Sequence, residues 1–179
     1  MGREKVENSN FAVFEKFFPK AAAAYAYRLW EHYDFYFVVS KPRKTKLGDY
    51  RYNPKKDQHK ITVNCDLNPY SFLVTYIHEV AHLETFLRYK DQERVMPHGT
   101  QWKQAYQNLF RPVLTPEILP EEVYRAIEQH MQSPRASSHS DFHLLRILSA
   151  YNKGHQPEAF LFLDELPEGQ HFSFQQRTF

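Results

Sequence analysis

The sequence predicts an α+β fold in which helices and a small sheet occupy separate parts of the chain. Apolar residues recur at helical spacing on both sides of residues 35–64, whereas that middle region holds short runs of β-branched and aromatic residues. Hydrophobic residues make up 42% of the 179 residues and aromatic residues 16%, which suffices to fill one core. We therefore expect one domain with a small appendage.

The first third of the chain predicts two helices followed by three strands. The helices cover residues 11–18 and 19–33, and the second contains a run of alanines, the best helix former. The strands cover residues 35–40, 47–52 and 61–64. We expect the last two strands to pair, either as a hairpin or within one sheet.

A long helix is predicted over residues 69–89. Asn68 suits the N-cap and Pro69 the first helical position. Apolar residues between Tyr70 and Tyr89 fall on most of the helix circumference. The helix is therefore expected to be buried.

This helix carries the sequence His-Glu-Val-Ala-His at residues 78–82. His78 and His82 are one turn apart on the same helix face, so that both imidazoles can reach one metal ion. Glu79 is offset around the helix and can act on a water at the metal without being a ligand. The pattern is the HExxH arrangement of zinc hydrolases, with Glu79 as the general base. The alternative is an ordinary core helix whose histidines are hydrogen-bonded.

A catalytic zinc ion takes three protein ligands, so a third ligand is needed. Thr85 and Arg88 exclude the longer HExxHxxGxxH spacing. The preferred candidate is His98, which Gly99 follows, because glycine permits close or left-handed backbone packing beside a ligand. Downstream carboxylates are the other candidates: Glu84, Glu93 and Glu117.

Further helices and a final hairpin are predicted after His98. The helices cover residues 100–110, 120–132 and 141–151. The hairpin has strands at residues 159–163 and 171–174, with a turn at residues 167–169 between them. Because the chain stops within the last strand, we expect a truncated C-terminus. The predicted organisation is a core domain over residues 1–132, a polar linker over residues 133–140 and a helix-plus-hairpin appendage over residues 141–179.

At these motifs the chain resembles the SprT-like zinc metalloprotease family. The resemblance rests on HEVAH at residues 78–82 and on HGTQWK at residues 98–103. It extends upstream to KLGDYR at residues 46–51 and ITVN at residues 61–64, which are similar to the glycine turn and strand before the motif helix of that family.

The resemblance implies a zincin-like metalloprotease core and a function. Zinc would be bound by His78, His82 and His98, and Glu79 would activate the water. Members of the family are linked to proteolysis of DNA-associated proteins. Many also carry a C-terminal zinc ribbon built from cysteine pairs, but Cys65 is the only cysteine here, so a ribbon of that kind is excluded.

One segment, residues 41–60, is strongly basic, although the net charge of the whole chain is only +2. Such a segment could bind the phosphates of a nucleic acid, and Tyr50 and Tyr52 could stack on unpaired bases. The alternative is a solvated hairpin whose lysines discourage edge pairing. The basic residues are Lys41, Arg43, Lys44, Lys46, Arg51, Lys55, Lys56 and Lys60.

Several other classes of site are not favoured by the sequence. No apolar run approaches the roughly 20 residues that span a bilayer, and residues 1–10 lack the apolar region of a signal peptide. A single cysteine excludes an internal disulfide and fits a cytoplasmic protein without membrane contact, and we expect Cys65 to be a small buried residue. Four histidines between residues 130 and 155 fit no ligand spacing and are interpreted as solvated or capping residues: His130, His139, His143 and His155.

The leading hypothesis is a zinc-dependent metalloendopeptidase in which Glu79 moves a proton from water to the leaving amine. We expect the strand at residues 61–64 to form one wall of the cleft and to pair with an extended peptide. Tyr106 and the hairpin tyrosines are candidates for stabilising the oxyanion. The alternative is a non-catalytic, metal-stabilised module that binds nucleic acid or nucleoprotein, for which a fourth protein ligand on the metal would be evidence.

Overall fold

A computed structural model of the protein describes residues 2–91, 95–134, 141–152, 167–171, 173–174 and 177–178. Within these residues it has six α-helices, a 3₁₀ helix and five strands, which confirms the α+β class. The helices are α1 (Gly2–Phe17), α2 (Lys20–Tyr33), α3 (Pro69–Tyr89), α4 (Thr100–Phe110), α5 (Glu121–Gln132) and α6 (Phe142–Ser149), with the 3₁₀ helix at Arg111–Val113. The strands are β1 (Tyr36–Ser40), β2 (Gly48–Asn53), β3 (Gln58–Asn64), β4 (Ser173–Phe174) and β5 (Arg177–Thr178).

A three-stranded mixed sheet has β3 at its centre, between β1 and β2. β1 runs parallel to β3, with Val38 opposite Thr62. β2 runs antiparallel to β3, with Tyr50 opposite Ile61. The predicted pairing between the second and third strands is therefore confirmed.

The central position of β3 contradicts the expectation that residues 61–64 pair with an extended peptide, because both edges of this strand are already paired. Among the described strands, β2 instead pairs on one side only. The Leu47 carbonyl accepts from the Asn64 N–H at 2.9 Å, and backbone direction alternates along a strand. The backbone groups of Gly48 and Tyr50 therefore point away from β3.

Helix α3 lies at the centre of the molecule and contacts α2, β2, β3 and α4. Its start is as predicted: the Asn68 side chain accepts from the N–H groups of Tyr70 and Ser71 at 3.1 and 3.0 Å, with Pro69 at the first helical position. Burying each large apolar side chain stabilises the fold by about 1.5–3 kcal/mol. The helix therefore provides a rigid support for the motif residues. Its buried apolar side chains are Phe72, Leu73, Val74, Tyr76, Ile77, Val80, Ala81 and Leu83.

Helix α6 is anchored to this core through α5 and through the start of α3. Leu144 and Leu148 belong to the same buried cluster as α3, and the Asn68 side-chain amide donates to the Leu148 carbonyl at 2.8 Å. The division of the chain at residue 132 stays a prediction.

The C-terminal hairpin is described only at its end. β4 and β5 pair antiparallel, with Ser173 opposite Thr178. The predicted strand at residues 159–163 and most of the predicted linker, residues 135–140, lie outside the described residues.

Cys65 is exposed, contrary to the expectation of a buried residue. β3 ends at Asn64, so the Cys65 side chain no longer follows the alternation that buries Ile61 and Val63. Among the described helices, none is both long and apolar enough to cross a membrane.

Candidate metal centre

Three imidazoles meet at the exposed side of α3. The Nε2 atom of His82 lies 3.2 Å from that of His78 and 2.9 Å from that of His98, and the Nε2 atoms of His78 and His98 are 3.1 Å apart. The structure thus brings together the three predicted ligands, and this cluster could hold a metal ion.

Hydrogen bonds among the imidazoles cannot satisfy this triangle. Each Nε2 is either a donor or an acceptor, so at least two of the three are alike and at least one contact pairs like with like. A cation at the centre accepts all three lone pairs at once. Tetrahedral zinc with Zn–N distances of about 2.0–2.1 Å requires ligand nitrogens about 3.3 Å apart. The observed spacing of 2.9–3.2 Å is close to that requirement.

The third imidazole reaches the cluster through a turn in a left-handed conformation. His98 has a φ of 58°, and the Gly99 N–H donates to the Met96 carbonyl at 2.9 Å. Left-handed backbone costs a residue with a side chain about 1–2 kcal/mol, so the fold holds strain at this position. Of the two roles expected for Gly99, close or left-handed packing, the left-handed one does not apply, because Gly99 is extended with a φ of −73°. Its role is close packing, because an added Cβ would lie 3.0 Å from the Met96 carbonyl oxygen.

Trp102 of α4 packs against all three imidazoles. Its ring centroid lies 4.7 Å from that of His78, 5.4 Å from that of His82 and 4.7 Å from that of His98. The indole N–H donates to the His78 carbonyl at 3.4 Å, and the side chain is fully buried. The sequence places Trp102 only within HGTQWK and within the helix predicted over residues 100–110. In the structure it limits the rotation of the three imidazoles.

Burial keeps these imidazoles in the form that can bind a metal. It lowers the pKa of His78 to about 2 and that of His82 to about 4, and repulsion from the neighbouring imidazoles acts in the same direction. Burial also lowers the pKa of His98. All three side chains are therefore neutral at pH 7, with a lone pair available for coordination.

Glu79 lies beside the cluster without belonging to it. Its side chain is buried, and it accepts a hydrogen bond from the backbone N–H of Tyr50. Burial raises the pKa of the Glu79 carboxyl to about 8, and the nearby Asp49 carboxylate adds to this shift, whereas the Tyr50 N–H opposes it. A divalent cation held by the histidines would lower this pKa, because it favours the carboxylate.

Gly48 is required by the close approach of β2 to α3. A Cβ built on Gly48 would lie 2.5 Å from Glu79 Oε1, 2.8 Å from Glu79 Cγ and 2.7 Å from Thr75 Cγ2. Any larger residue would displace the Glu79 side chain. The sequence placed Gly48 in a turn, and its actual role in seating Glu79 depends on a contact between residues 31 positions apart in the chain.

The three histidines and Glu79 open into a cleft of about 370 Å³. Its lining includes residues 45–50, which we call the hairpin wall, and Tyr106 and His130, which we call the helical wall. Tyr106 is buried against Trp102, with ring centroids 4.9 Å apart, and burial raises its pKa above the ordinary range.

The carboxylates considered as alternative third ligands do not join the cluster. Glu84 accepts hydrogen bonds from the Tyr33 hydroxyl and from Arg88, the latter at 2.6 Å. Glu117 is exposed, and Glu93 lies outside the described residues.

The interpretation of His130 as a solvated or capping residue is wrong. Its side chain is buried, its Nδ1 lies 2.8 Å from Asp141 Oδ2, and it lines the cleft. The sequence contained a signal for its burial, since His130 follows Val123 by seven residues and Ile127 by three, on the buried stripe of α5. His143 is exposed as expected, and the other two histidines of that group lie outside the described residues.

The hairpin tyrosines are engaged within the hairpin rather than offered to the cleft. The Tyr50 hydroxyl contacts His59 Nδ1 at 3.0 Å, and the Tyr52 hydroxyl donates to Asp57 at 2.8 Å. The Tyr52 ring stacks on His59, with centroids 4.8 Å apart, and packs against Phe86 at 4.6 Å. Of the predicted oxyanion candidates, Tyr106 alone has its hydroxyl uncommitted within the described part of the chain.

The basic segment divides into engaged and exposed side chains. Arg43 donates to Asn64 Oδ1 at 2.7 Å, and Lys46 and Arg51 both pair with Asp49, at 2.8 and 2.6 Å. The Lys60 ammonium lies 5.6 Å from the centroid of the Tyr36 ring. The exposed members without such contacts in the described structure are Lys41, Lys44, Lys55 and Lys56.

Comparison of the chain with protein-family models, with curated proteins and with solved structures gives no match in any of the three. A functional conclusion therefore depends on the geometry of the cleft and on the motifs that form it.

Proposed function

We propose that the protein is a zinc-dependent metalloendopeptidase of the SprT-like type, with a zincin-like core. One observation carries the proposal: three imidazole nitrogens lie within 3.2 Å of one another on the floor of a cleft, beside a buried glutamate. The residue types, their spacing on α3 and the neutral state of the imidazoles all agree with a catalytic metal.

Zinc suits this donor set, because it accepts imidazole nitrogen in tetrahedral geometry. Bound by His78, His82 and His98, it would supply Lewis-acid polarisation of a carbonyl group and a lowered pKa for a water molecule. Among the described residues, no fourth His, Cys, Asp or Glu joins the cluster. Three ligands with an open fourth position favour catalysis over the alternative of a purely structural metal site.

Glu79 would perform the proton transfers. It takes a proton from the attacking water, whose oxygen forms the new bond to the peptide carbonyl carbon. It then gives that proton to the leaving amine nitrogen as the C–N bond breaks, so that a carboxylate and an amine result. The Tyr50 N–H and the close packing of Gly48 hold the carboxylate in one position throughout.

The substrate would be an unfolded or extended polypeptide segment. Gly48 and Tyr50 line the cleft on the edge of β2 that is unpaired within the described structure. The Tyr50 N–H is committed to Glu79, which leaves the Gly48 N–H and the carbonyl groups of both residues for main-chain hydrogen bonds to an extended peptide. This assigns peptide binding to β2 in place of β3.

DNA-associated proteins are the proposed substrate class, and support comes from the exposed lysines of the basic segment. Four of the eight basic residues are engaged in contacts within the fold, which leaves Lys41, Lys44, Lys55 and Lys56 for phosphate contacts. Four phosphate contacts would give single-stranded DNA binding a slope of log affinity against log salt of about −3. A flat salt response would remove nucleic acid from the proposal and leave the peptidase proposal intact.

The proposal is tested by zinc content and by cleavage of an unfolded protein such as reduced casein. We expect about one zinc per chain in the parent protein and a large loss of zinc in His98→Ala. Glu79→Gln should keep its zinc and lose at least about 10³-fold in cleavage rate, because it lacks the general base.

Two variants serve as matched controls. His143→Ala removes an exposed histidine of α6 and Glu117→Gln changes an exposed glutamate, so both should retain zinc and cleavage. Equal turnover by Glu79→Gln and the parent protein would refute the mechanism. A parent protein without zinc after reconstitution would refute the metal site itself.

A further inference from the structure

A second pocket lies beside the candidate metal centre, and we call it the apolar pocket. It has a volume of about 320 Å³, and its lining includes His82, His98 and Trp102. His82 and His98 also line the cleft, so these two imidazoles form the partition between the two spaces. A group that fills the apolar pocket therefore lies one imidazole away from the histidine cluster.

The inner wall of this pocket is apolar. Trp102 is fully buried, and its indole N–H is donated to the His78 carbonyl, so the pocket meets only its ring. The Thr85 hydroxyl donates to the Ala81 carbonyl at 2.7 Å and is not available to a ligand. Phe86 adds a half-buried aromatic ring. Apolar surface of this kind favours an apolar occupant.

The charged member of the lining does not change this character. Lys90 is exposed at the C-terminal end of α3, so its ammonium group can stay in solvent while its methylene groups face the pocket. The volume is at the lower end of the range for ligand pockets, about 300–1,000 Å³. It therefore suits a single side chain better than a larger ligand.

The rim of the pocket carries an exposed methionine. Met96 lines the pocket and is 68% exposed, although its side chain is large and apolar. It belongs to the turn that presents His98, because its carbonyl accepts from the Gly99 N–H at 2.9 Å. Methionine side chains adapt to occupants of different shape. An apolar group in the pocket would remove part of this side chain from water, which is favourable.

The apolar pocket also lies within reach of a peptide that adds to β2. Phe86 packs against Tyr52 with ring centroids 4.6 Å apart, so the pocket lies towards the end of β2, whereas the cleft lies at its start. An extended chain rises about 3.3 Å per residue and turns every second side chain to the same face. A peptide whose carbonyl lies at the histidine cluster would therefore reach the pocket within about two residues.

We propose that the apolar pocket is a specificity site, which takes one large apolar side chain of the polypeptide substrate. That side chain belongs to a residue within two positions of the scissile bond, always on the same side of it. This inference rests on the proposed peptidase function, and the pocket contributes only binding to it. Folded proteins bury most of their large apolar side chains, so the pocket would direct cleavage to unfolded segments.

Cleavage-site mapping tests this inference without any variant. Reduced casein is digested with the zinc-loaded parent protein, and the products are identified by mass spectrometry. We expect large apolar residues to be enriched at one position within two residues of the cleaved bonds. Two peptides that differ only at that position, Phe against Ala, then measure the preference. We expect kcat/KM to be at least about tenfold higher for the Phe peptide.

Two variants change the size of the pocket in opposite directions. Val95→Phe adds a ring to a half-buried lining residue and should lower the Phe-over-Ala ratio at least about tenfold. Met96→Ala removes apolar surface at the rim but keeps the Cβ and the carbonyl of the turn, and it should lower the ratio about threefold. Zinc content should match that of the parent protein in both variants.

Phe142→Ala is the matched control. Phe142 is 69% exposed, close to the value for Met96, but it lies on α6 and is not among the described residues that line either space. Its Phe-over-Ala ratio should equal that of the parent protein.

Two results would overturn this inference and leave the peptidase proposal intact. One is a parental Phe-over-Ala ratio in both Val95→Phe and Met96→Ala, and the other is cleavage by the parent protein without any preference within two residues of the bond. If Val95→Phe does not fold, Met96→Ala and the cleavage-site map decide. A zinc-loaded parent protein that cleaves neither casein nor peptides would overturn the peptidase proposal, and this inference with it.

Discussion

The two walls of the cleft use different parts of the polypeptide. The hairpin wall acts through its backbone. Gly48 has no side chain, which leaves room for Glu79, and the Tyr50 N–H donates a hydrogen bond to Glu79. The helical wall acts through side chains, with the Tyr106 ring and the His130 imidazole lining the cleft and Asp141 behind the imidazole. Activity should therefore be sensitive to added side-chain volume on the hairpin wall and to the removal of side-chain atoms on the helical wall.

This difference predicts opposite mutational patterns. On the hairpin wall, truncating a side chain leaves the backbone hydrogen bond to Glu79 in place, and the damaging change is the addition of a Cβ at Gly48. On the helical wall, truncation removes the functional group itself. The three predictions below test this contrast, from the largest expected effect to the smallest.

Gly48→Ala should have the largest effect. The added Cβ would lie 2.5–2.8 Å from two atoms of Glu79 and from Thr75, so the carboxylate must move away from the position in which Tyr50 holds it. We expect kcat to fall about 10³-fold, or about 4 kcal/mol in the activation barrier, because the general base is lost. Steady-state cleavage assays on the zinc-loaded variant measure this.

Gly169→Ala is the matched control, because a Cβ there meets no atom of the described residues within 4 Å. It has a φ of 84°, so alanine costs some stability through backbone strain, but cleavage should be unchanged. Parental activity in Gly48→Ala would mean that Glu79 does not depend on the hairpin wall.

The fold and the floor of the cleft could be predicted from the sequence where the signal is local. Asn68 and Pro69 mark the start of α3, and the four-residue spacing of His78 and His82 puts both on one helix face without any tertiary information. His98 could be added because a third ligand was required and the nearby turn residues were favourable. Each of these inferences depends either on residues that are close in sequence or on the number of protein ligands that zinc requires.

The walls could not be predicted because they depend on contacts between distant segments. The seating of Glu79 against Gly48 and the pairing of His130 with Asp141 both require the packed tertiary structure. The central place of β3 is also non-local, since it depends on a parallel partner, β1, that a hairpin pattern does not reveal. Helical spacing did indicate the burial of His130, but not what it would face.

The second prediction concerns the pH dependence of stability after zinc is removed by a chelator. His78 and His82 have pKa values of about 2 and 4 in the folded protein, below the unfolded value of about 6.5, so the unfolded state binds more protons and stability falls as the pH drops below 6.5. As the pH is lowered from 7 to 5, each of these imidazoles reduces the free energy of unfolding by about 2 kcal/mol.

Glu79 opposes that loss. Its pKa is about 8 in the folded protein and about 4.5 when unfolded, so its contribution to stability is present at low pH and is lost as the pH rises through 8. Lowering the pH from 7 to 5 therefore raises the contribution of Glu79 to the free energy of unfolding by about 2 kcal/mol in the parent protein. Glu79→Gln lacks this compensation, and its free energy of unfolding should fall about 2 kcal/mol further over the same interval. Urea unfolding at pH 7, 6 and 5 measures the difference; parallel curves for the two proteins would show that the hairpin wall does not bury this carboxyl.

The smallest effect is expected for Tyr106→Phe. This substitution removes the hydroxyl of Tyr106 and leaves His130, the other residue of the helical wall, unchanged. The ring would stay stacked on Trp102, so zinc content and folding should be preserved, while the hydroxyl, an uncommitted donor within the described structure, is lost. If the Tyr106 hydroxyl does not contact the developing oxyanion, kcat should fall less than tenfold, or by less than about 1.4 kcal/mol. A loss of 100-fold or more would instead assign the stabilisation of the oxyanion to this hydroxyl. The functional atom of the helical wall would then come from α4.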